Sequence, residues 1–165
     1  MNIAIPIDHF NINNVFFLEA IKNTIMNNSN FIRIIYSDSL VTLNGICLEF
    51  SVPVTQVEKS FNKYKCVLDR QTSNAIVENI CKIENDIISK CNLKEKQAVF
   101  RISEQFKNGI IKITNNTTID NNKKFTIKIS GICIISLLTI SNLYISIRII
   151  LSIELMKRTA LSSHM

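Results

Sequence analysis

The sequence predicts an α+β domain, mainly β: an OB-like small barrel with one main amphipathic helix and an aliphatic C-terminal tail. Three observations carry this. β-branched and aromatic runs such as FIRIIY (31–36) and ICLEFSV (46–52) precede one long helical stripe. Further runs follow it, among them residues 125–130, where Phe125, Ile127 and Ile129 alternate with Thr126, Lys128 and Ser130. The order strands, helix, strands is that of an OB-fold, a five-stranded barrel with a helix between its third and fourth strands.

Length and composition fit this reading. The chain has 165 residues, the size of one domain, and 47% are hydrophobic, enough to fill a core. Ile makes up about a fifth of the residues and Asn about an eighth, well above ordinary usage. Residues 1–30 read as an Asn-rich N-terminal segment, 31–131 as the OB-like core domain, and 132–165 as an aliphatic tail.

In the N-terminal segment, Val15, Leu18, Ile21 and Ile25 have helical spacing, so a short helix over about 13–27 is expected, ended by Asn27 to Asn30. Asn44-Gly45 between two apolar runs predicts a tight hairpin turn, because both residues tolerate positive φ. Pro53 should end the following strand or place it on a sheet edge. KYKCVLD (63–69) is another strand candidate, with Tyr64 on the face opposite Lys63 and Lys65.

The helix is expected over about 74–91, capped by Thr72, Ser73 or Asn74 and ending near Asn92. Ile76, Ile80, Ile83 and Ile87 form its apolar stripe. Glu84 and Asp86 lie two apart and so share no face, which places them on a solvated surface. AVFRIS (98–103) fits either regular structure, Asn108-Gly109 opens a strand at 110–114, and 115–124 is a polar loop.

Two readings compete for the tail. Residues 129–147 are an uncharged run long enough to span a bilayer as a helix. From Asn142 to Leu155 the alternation of apolar and polar residues argues for a strand instead, and Asn142 and Arg148 are costly in lipid. The strand is favoured for the second half, and 132–141 stays open.

The formal net charge of +6 is concentrated in residues 58–130, which carry 14 basic and 8 acidic groups. A basic middle segment favours a polyanion. The N-terminus lacks the charged start and cleavage site of a signal peptide, and the five cysteines contain no C-x-x-C, so reduced, mostly core thiols are expected. The inventory argues against an enzyme. His9 and His164 lie near the two ends, no H-E-x-x-H or G-x-S-x-G occurs, and Gly45, Gly109 and Gly131 stand alone. No catalytic residue, metal site or cofactor is expected.

What remains is basic residues interleaved with aromatics. The candidate nucleic-acid-binding residues are Arg33, Tyr36, Lys63, Tyr64, Lys65, Arg101, Lys107, Lys112, Lys123, Lys124, Phe125 and Lys128. Cations would track the phosphates of a single strand and rings would stack on its bases.

FIRIIYSDSLVTLNGICLEF (31–50), NKYKC (62–66), VENICKIENDIISK (77–90), NGIIKI (108–113) and KISGI (128–132) resemble segments of small proteins of nucleocytoplasmic large DNA viruses. The resemblance covers about residues 28–132. The strand–helix–strand layout of that group resembles viral OB-type single-strand DNA-binding proteins. It implies a non-catalytic binding module for single-stranded DNA, acting in the infected host cell cytoplasm or at a viral replication site. No functional residues carry over from it. The chain departs from the pattern at Cys133-Ile134-Ile135, where an aliphatic tail replaces the expected aromatic and acidic continuation. The tail motivates an alternative, a small membrane-associated or virion structural protein anchored by residues 132–153.

Overall fold

The computed structural model describes residues 3–60, 63–93, 97–113, 122–139 and 142–155. Over these residues the chain is mainly β, with two α-helices against an open, largely antiparallel sheet. Its elements in order are β1 (Ile5–Pro6), β2 (Val15–Lys22), β3 (Ser29–Ser37), β4 (Thr42–Asn44), β5 (Ile46–Ser60), β6 (Lys63–Leu68), α1 (Arg70–Lys90), β7 (Gln97–Ala98), α2 (Arg101–Lys107), β8 (Ile110–Ile113), β9 (Asn122–Thr139) and β10 (Asn142–Leu155). Two short 3-10 turns, at Ile7–His9 and Ile12–Asn14, lie between β1 and β2.

The long strand β9 organises the sheet. β10 runs antiparallel along it, from Asn142 opposite Thr139 to Leu155 opposite Phe125. β5 pairs with its first part, from Ile46 opposite Ile129 to Pro53 opposite Asn122. β3 pairs with its later part, from Arg33 opposite Gly131 to Ser29 opposite Ile135. β2 extends the sheet beyond β3, and β6 then β8 extend it beyond β5.

Several sequence expectations are corrected here. Residues 15–22 form strand β2, not a helix. Their partner β3 supplies Ile32, Ile34 and Tyr36 opposite Ala20, Phe17 and Val15, and this pairing overrides the helical spacing. Asn44-Gly45 is not a hairpin turn. The hairpin is β3–β4, closed by Asp38, whose carboxylate accepts from the Leu40 and Val41 amides at 2.8 and 2.9 Å. Gly45, at φ 88°, instead lets the chain pass from pairing with β3 to pairing with β9. A Cβ there would sit 2.9 Å from the Ile129 carbonyl oxygen.

Pro53 neither ends its strand nor marks an outer edge. β5 continues to Ser60 and changes partner at Pro53, from β9 before it to β6 after it. The missing amide of Pro53 falls at this change, and a bulge between Val54 and Gln56 completes the bend. The boundaries expected at residues 30 and 131 do not divide the fold, because β2 pairs with β3 and β9 runs from 122 to 139. Residues 132–139 continue β9 as a strand, which overturns the helical reading of the tail. No helix among the described residues is long and apolar enough to cross a membrane.

Helix α1 starts at Arg70, earlier than expected. Asp69, not Thr72, Ser73 or Asn74, caps it, accepting from the Gln71 amide at 3.1 Å. Ile80, Ile83 and Ile87 of the predicted stripe are buried and Ile76 is half-buried. They pack on one face of the sheet with Leu48, Phe50, Val52, Phe125, Ile127 and Ile129. Phe50 stacks on Phe125 and meets Phe106 of α2 edge-on, both at 5.7 Å between centroids.

Residues 98–103 end β7 and begin α2. The start of α2 is held by Glu84, which is fully buried and lies on no solvated surface. Its carboxylate accepts from the Ile102 amide at 3.0 Å, the Ser103 amide at 2.7 Å and the Ser103 hydroxyl at 2.6 Å. The residue before α2, Phe100, has no side chain able to cap it, so a carboxylate from α1 takes that role.

Candidate nucleic-acid interface

Both helices pack on one face of the sheet, called inner here. Alternation along each strand assigns the other face. On β3, Ile32, Ile34 and Tyr36 point inward, so Phe31, Arg33 and Ile35 point outward. On β9, Phe125, Ile127 and Ile129 point inward, so Lys124, Thr126 and Lys128 point outward. On β6 and β8, Cys66, Leu68, Ile111 and Ile113 point inward, so Lys65 and Lys112 point outward, directly opposite one another. Among the described residues neither α1 nor α2 packs its apolar stripe on this outer face.

Arg33, Lys65, Lys112, Lys124 and Lys128 therefore share one sheet face. Two acids sit among them. Glu49 on β5 holds Lys124 at 2.6 Å, and Glu58 holds Lys65 at 3.1 Å. Arg33 donates to the Asn44 side-chain carbonyl at 3.3 Å. Lys112 and Lys128 make no ion pair among the described residues. Such solvated pairs contribute about 0–1 kcal/mol, so a phosphate can displace the carboxylate with little loss.

The aromatic candidates separate from the basic ones. Tyr36 is 3% exposed and Phe125 is fully buried, so neither presents a ring to a ligand. Tyr36 instead accepts from the Asn14 amide at 3.2 Å. Tyr64 lies opposite Ile113 on the inner face and packs at the margin of the core. These three are corrections: the period of two that puts the cations outward puts these rings inward.

The ring that does accompany the cations is Phe31, half-buried and two residues from Arg33. It lies against Gly131, where any Cβ would collide with the ring and with the Ile32 carbonyl. Phe16, opposite Ile35 on the same face, is 52% exposed and has the Lys90 ammonium 5.7 Å from its ring centre. Phe31 is legible in FIRIIY, since Phe31, Arg33 and Ile35 have equal parity, whereas Phe16 depends on the pairing of β2 with β3.

The remaining candidates lie elsewhere. Arg101 and Lys107 sit at the two ends of α2, on the helix side, and Arg101 pairs with Glu104 at 3.0 Å. Lys63 opens β6 and Lys123 lies in β9 opposite Val52, but their side chains fall outside the described residues, as does most of the polar loop 115–124. Among the described residues no group of three or more His, Cys, Asp or Glu side chains gathers to hold a metal ion. Of the five cysteines, Cys66 and Cys133 are buried, and Cys47, Cys81 and Cys91 are half-buried.

No protein-family model, curated protein sequence or solved structure matches the chain.

Proposed function

We propose that this chain is a non-catalytic viral module that holds single-stranded nucleic acid, most naturally DNA, on the outer face of its sheet. The observation that carries the reading is the sharing of the face opposite the helix-packed core by Arg33, Lys65, Lys112, Lys124 and Lys128, with Phe31 two residues from Arg33 at its end. A face of cations with a half-buried ring beside the outermost of them suits splayed bases better than a duplex, whose bases are already stacked. The resemblance to small proteins of large DNA viruses supports the viral setting and action at a replication site in the infected cell.

We read the fold itself as OB-like. Helix α1 leads out of β6 and the chain returns through β8, as the helix of an OB-fold joins its third and fourth strands. The departure is at closure. β8 pairs with β6, β10 pairs with β9 and β7, and no ladder joins β8 to β10 among the described residues.

The test is fluorescence anisotropy of a labelled single-stranded oligonucleotide titrated with the full chain over a salt series, with the matching duplex as competitor. Binding should prefer the single strand, and its logarithm should fall with log salt by about 0.7 for each phosphate contact. Equal binding of single strand and duplex that disappears at physiological salt would overturn the reading. It would leave the outer face as a solvated basic surface.

A further inference from the structure

On the helix side, away from the sheet face, a pocket of about 460 Å³ opens between the first half of α1, the end of α2 and the turn into β8. That size suits a small organic ligand. Its floor is apolar, formed by Leu68, Val77 and Phe106, and its rim carries Arg70, Asn74 and Lys107.

Three observations define what it would take. First, Arg70 and Lys107 make no ion pair among the described residues, whereas Lys65, Arg101 and Lys124 each hold a carboxylate. Second, Ser73 also lines the pocket, is 1% exposed, and its hydroxyl has no hydrogen-bond partner among the described residues. An unpaired buried hydroxyl is unfavourable, and a small turn of the Ser73 side chain on binding would bring it to a ligand oxygen. Third, Arg70 lies beside the turn into β8: its Nε is 3.4 Å from where a Cβ on Gly109 would be. One acid, Glu78, also lines the pocket, so the two cations leave a net positive site.

We infer that this pocket binds a phosphate monoester with a compact apolar or aromatic body. A guanidinium fork and an ammonium suit a dianionic phosphoryl group, with the Ser73 hydroxyl and Asn74 amide as further donors. The body rests on Leu68, Val77 and Phe106, and Glu78 is placed to accept from its hydroxyl or amino groups. The inference does not depend on nucleic acid binding at the sheet.

The experiment is calorimetric titration of the full chain with nucleoside 5′-monophosphates, the parent nucleosides and inorganic phosphate. The monophosphates should bind about tenfold or more tighter than the nucleosides, since they alone engage both cations. Inorganic phosphate should be weaker than the monophosphates, because it leaves the apolar floor empty. Arg70→Gln and Lys107→Gln, both exposed positions, should each reduce monophosphate binding by about tenfold. Asn74→Trp should block the mouth, with an unchanged circular dichroism spectrum confirming the fold. Arg33→Gln and Lys128→Gln on the sheet should leave monophosphate binding unaltered. No heat at millimolar monophosphate, or binding insensitive to Arg70→Gln and Lys107→Gln, would overturn the inference.

Discussion

The two faces of the sheet are built from the same strands yet obey different rules. On β9, Phe125, Ile127 and Ile129 are each no more than 1% exposed, while Lys124, next to Phe125, is open to solvent. Loss of an inner side chain leaves a cavity against α1 or α2. Loss of an outer one changes charge and little else. Stability therefore rests on one set of alternate residues of the strand and the proposed recognition on the other, and substitutions should separate them.

The largest effect should come from the inner face. Phe125→Ala removes the ring stacked on Phe50 and should cost about 3–5 kcal/mol of stability, read as the shift of the urea midpoint. Oligonucleotide affinity of the molecules that remain folded should be unchanged. Phe31→Ala should do the reverse: a smaller stability loss and an affinity loss of about 1–3 kcal/mol, if a base stacks on that ring. Equal effects of the two substitutions on affinity would remove the distinction between the faces.

Next in size is Glu84. Glu84→Ala leaves the Ile102 and Ser103 amides and the Ser103 hydroxyl without their acceptor in a buried site. A loss of about 3 kcal/mol is expected, with early hydrogen exchange of α2 amides relative to those of α1. A variant within experimental error of the parent would mean that another group caps α2.

Much of this pattern was readable from local sequence. The alternation in residues 125–130 placed the inner and outer residues of β9 correctly, and the isoleucine spacing from 76 to 87 located the buried side of α1. What escaped was set by distant partners. Residues 15–22 have helical spacing, yet they complete a sheet edge against β3. Glu84 looks like any acid on a charged helix, and only the arrival of α2 eighteen residues later makes it buried. Proximity along the chain gathers Tyr36, Tyr64 and Phe125 with the lysines, whereas parity within the strand, which already puts Tyr64 on the face opposite Lys63 and Lys65, sets the rings apart and brings forward Phe31. Arg70 carries no local cue at all, since the pocket it borders exists only once α2 and β8 are in place.

On the outer face, effects should be smaller and confined to binding. Arg33→Gln, Lys112→Gln and Lys128→Gln should each weaken single-strand binding by roughly two- to fivefold and lower the salt slope by about 0.7. Their unfolding midpoints should stay within about 0.5 kcal/mol of the parent. Lys65→Gln should cost less affinity, because Glu58 already competes with phosphate for that ammonium. A slope unchanged by all four would place the bound strand elsewhere.

The smallest effect belongs to a group on neither face. Asp38 closes the β3–β4 hairpin, and the Val41 amide, followed by the Leu40 amide, holds its carboxyl below the ordinary value of 3.8. A carboxyl with a lowered folded pKa binds its proton less readily when folded than when unfolded. Its stabilising contribution is therefore complete above the ordinary value and is lost as pH falls through the lowered one. Asp38→Ala should accordingly be slightly less stable than the parent at neutral pH, and the two denaturation midpoints should converge in acid. Midpoints measured in parallel from neutral pH downwards check this, and a constant gap would show that Asp38 acts through the shape of the turn instead of its charge. Because Asp38 is remote from the outer cations in the strand register, the same variant should bind oligonucleotide as the parent does.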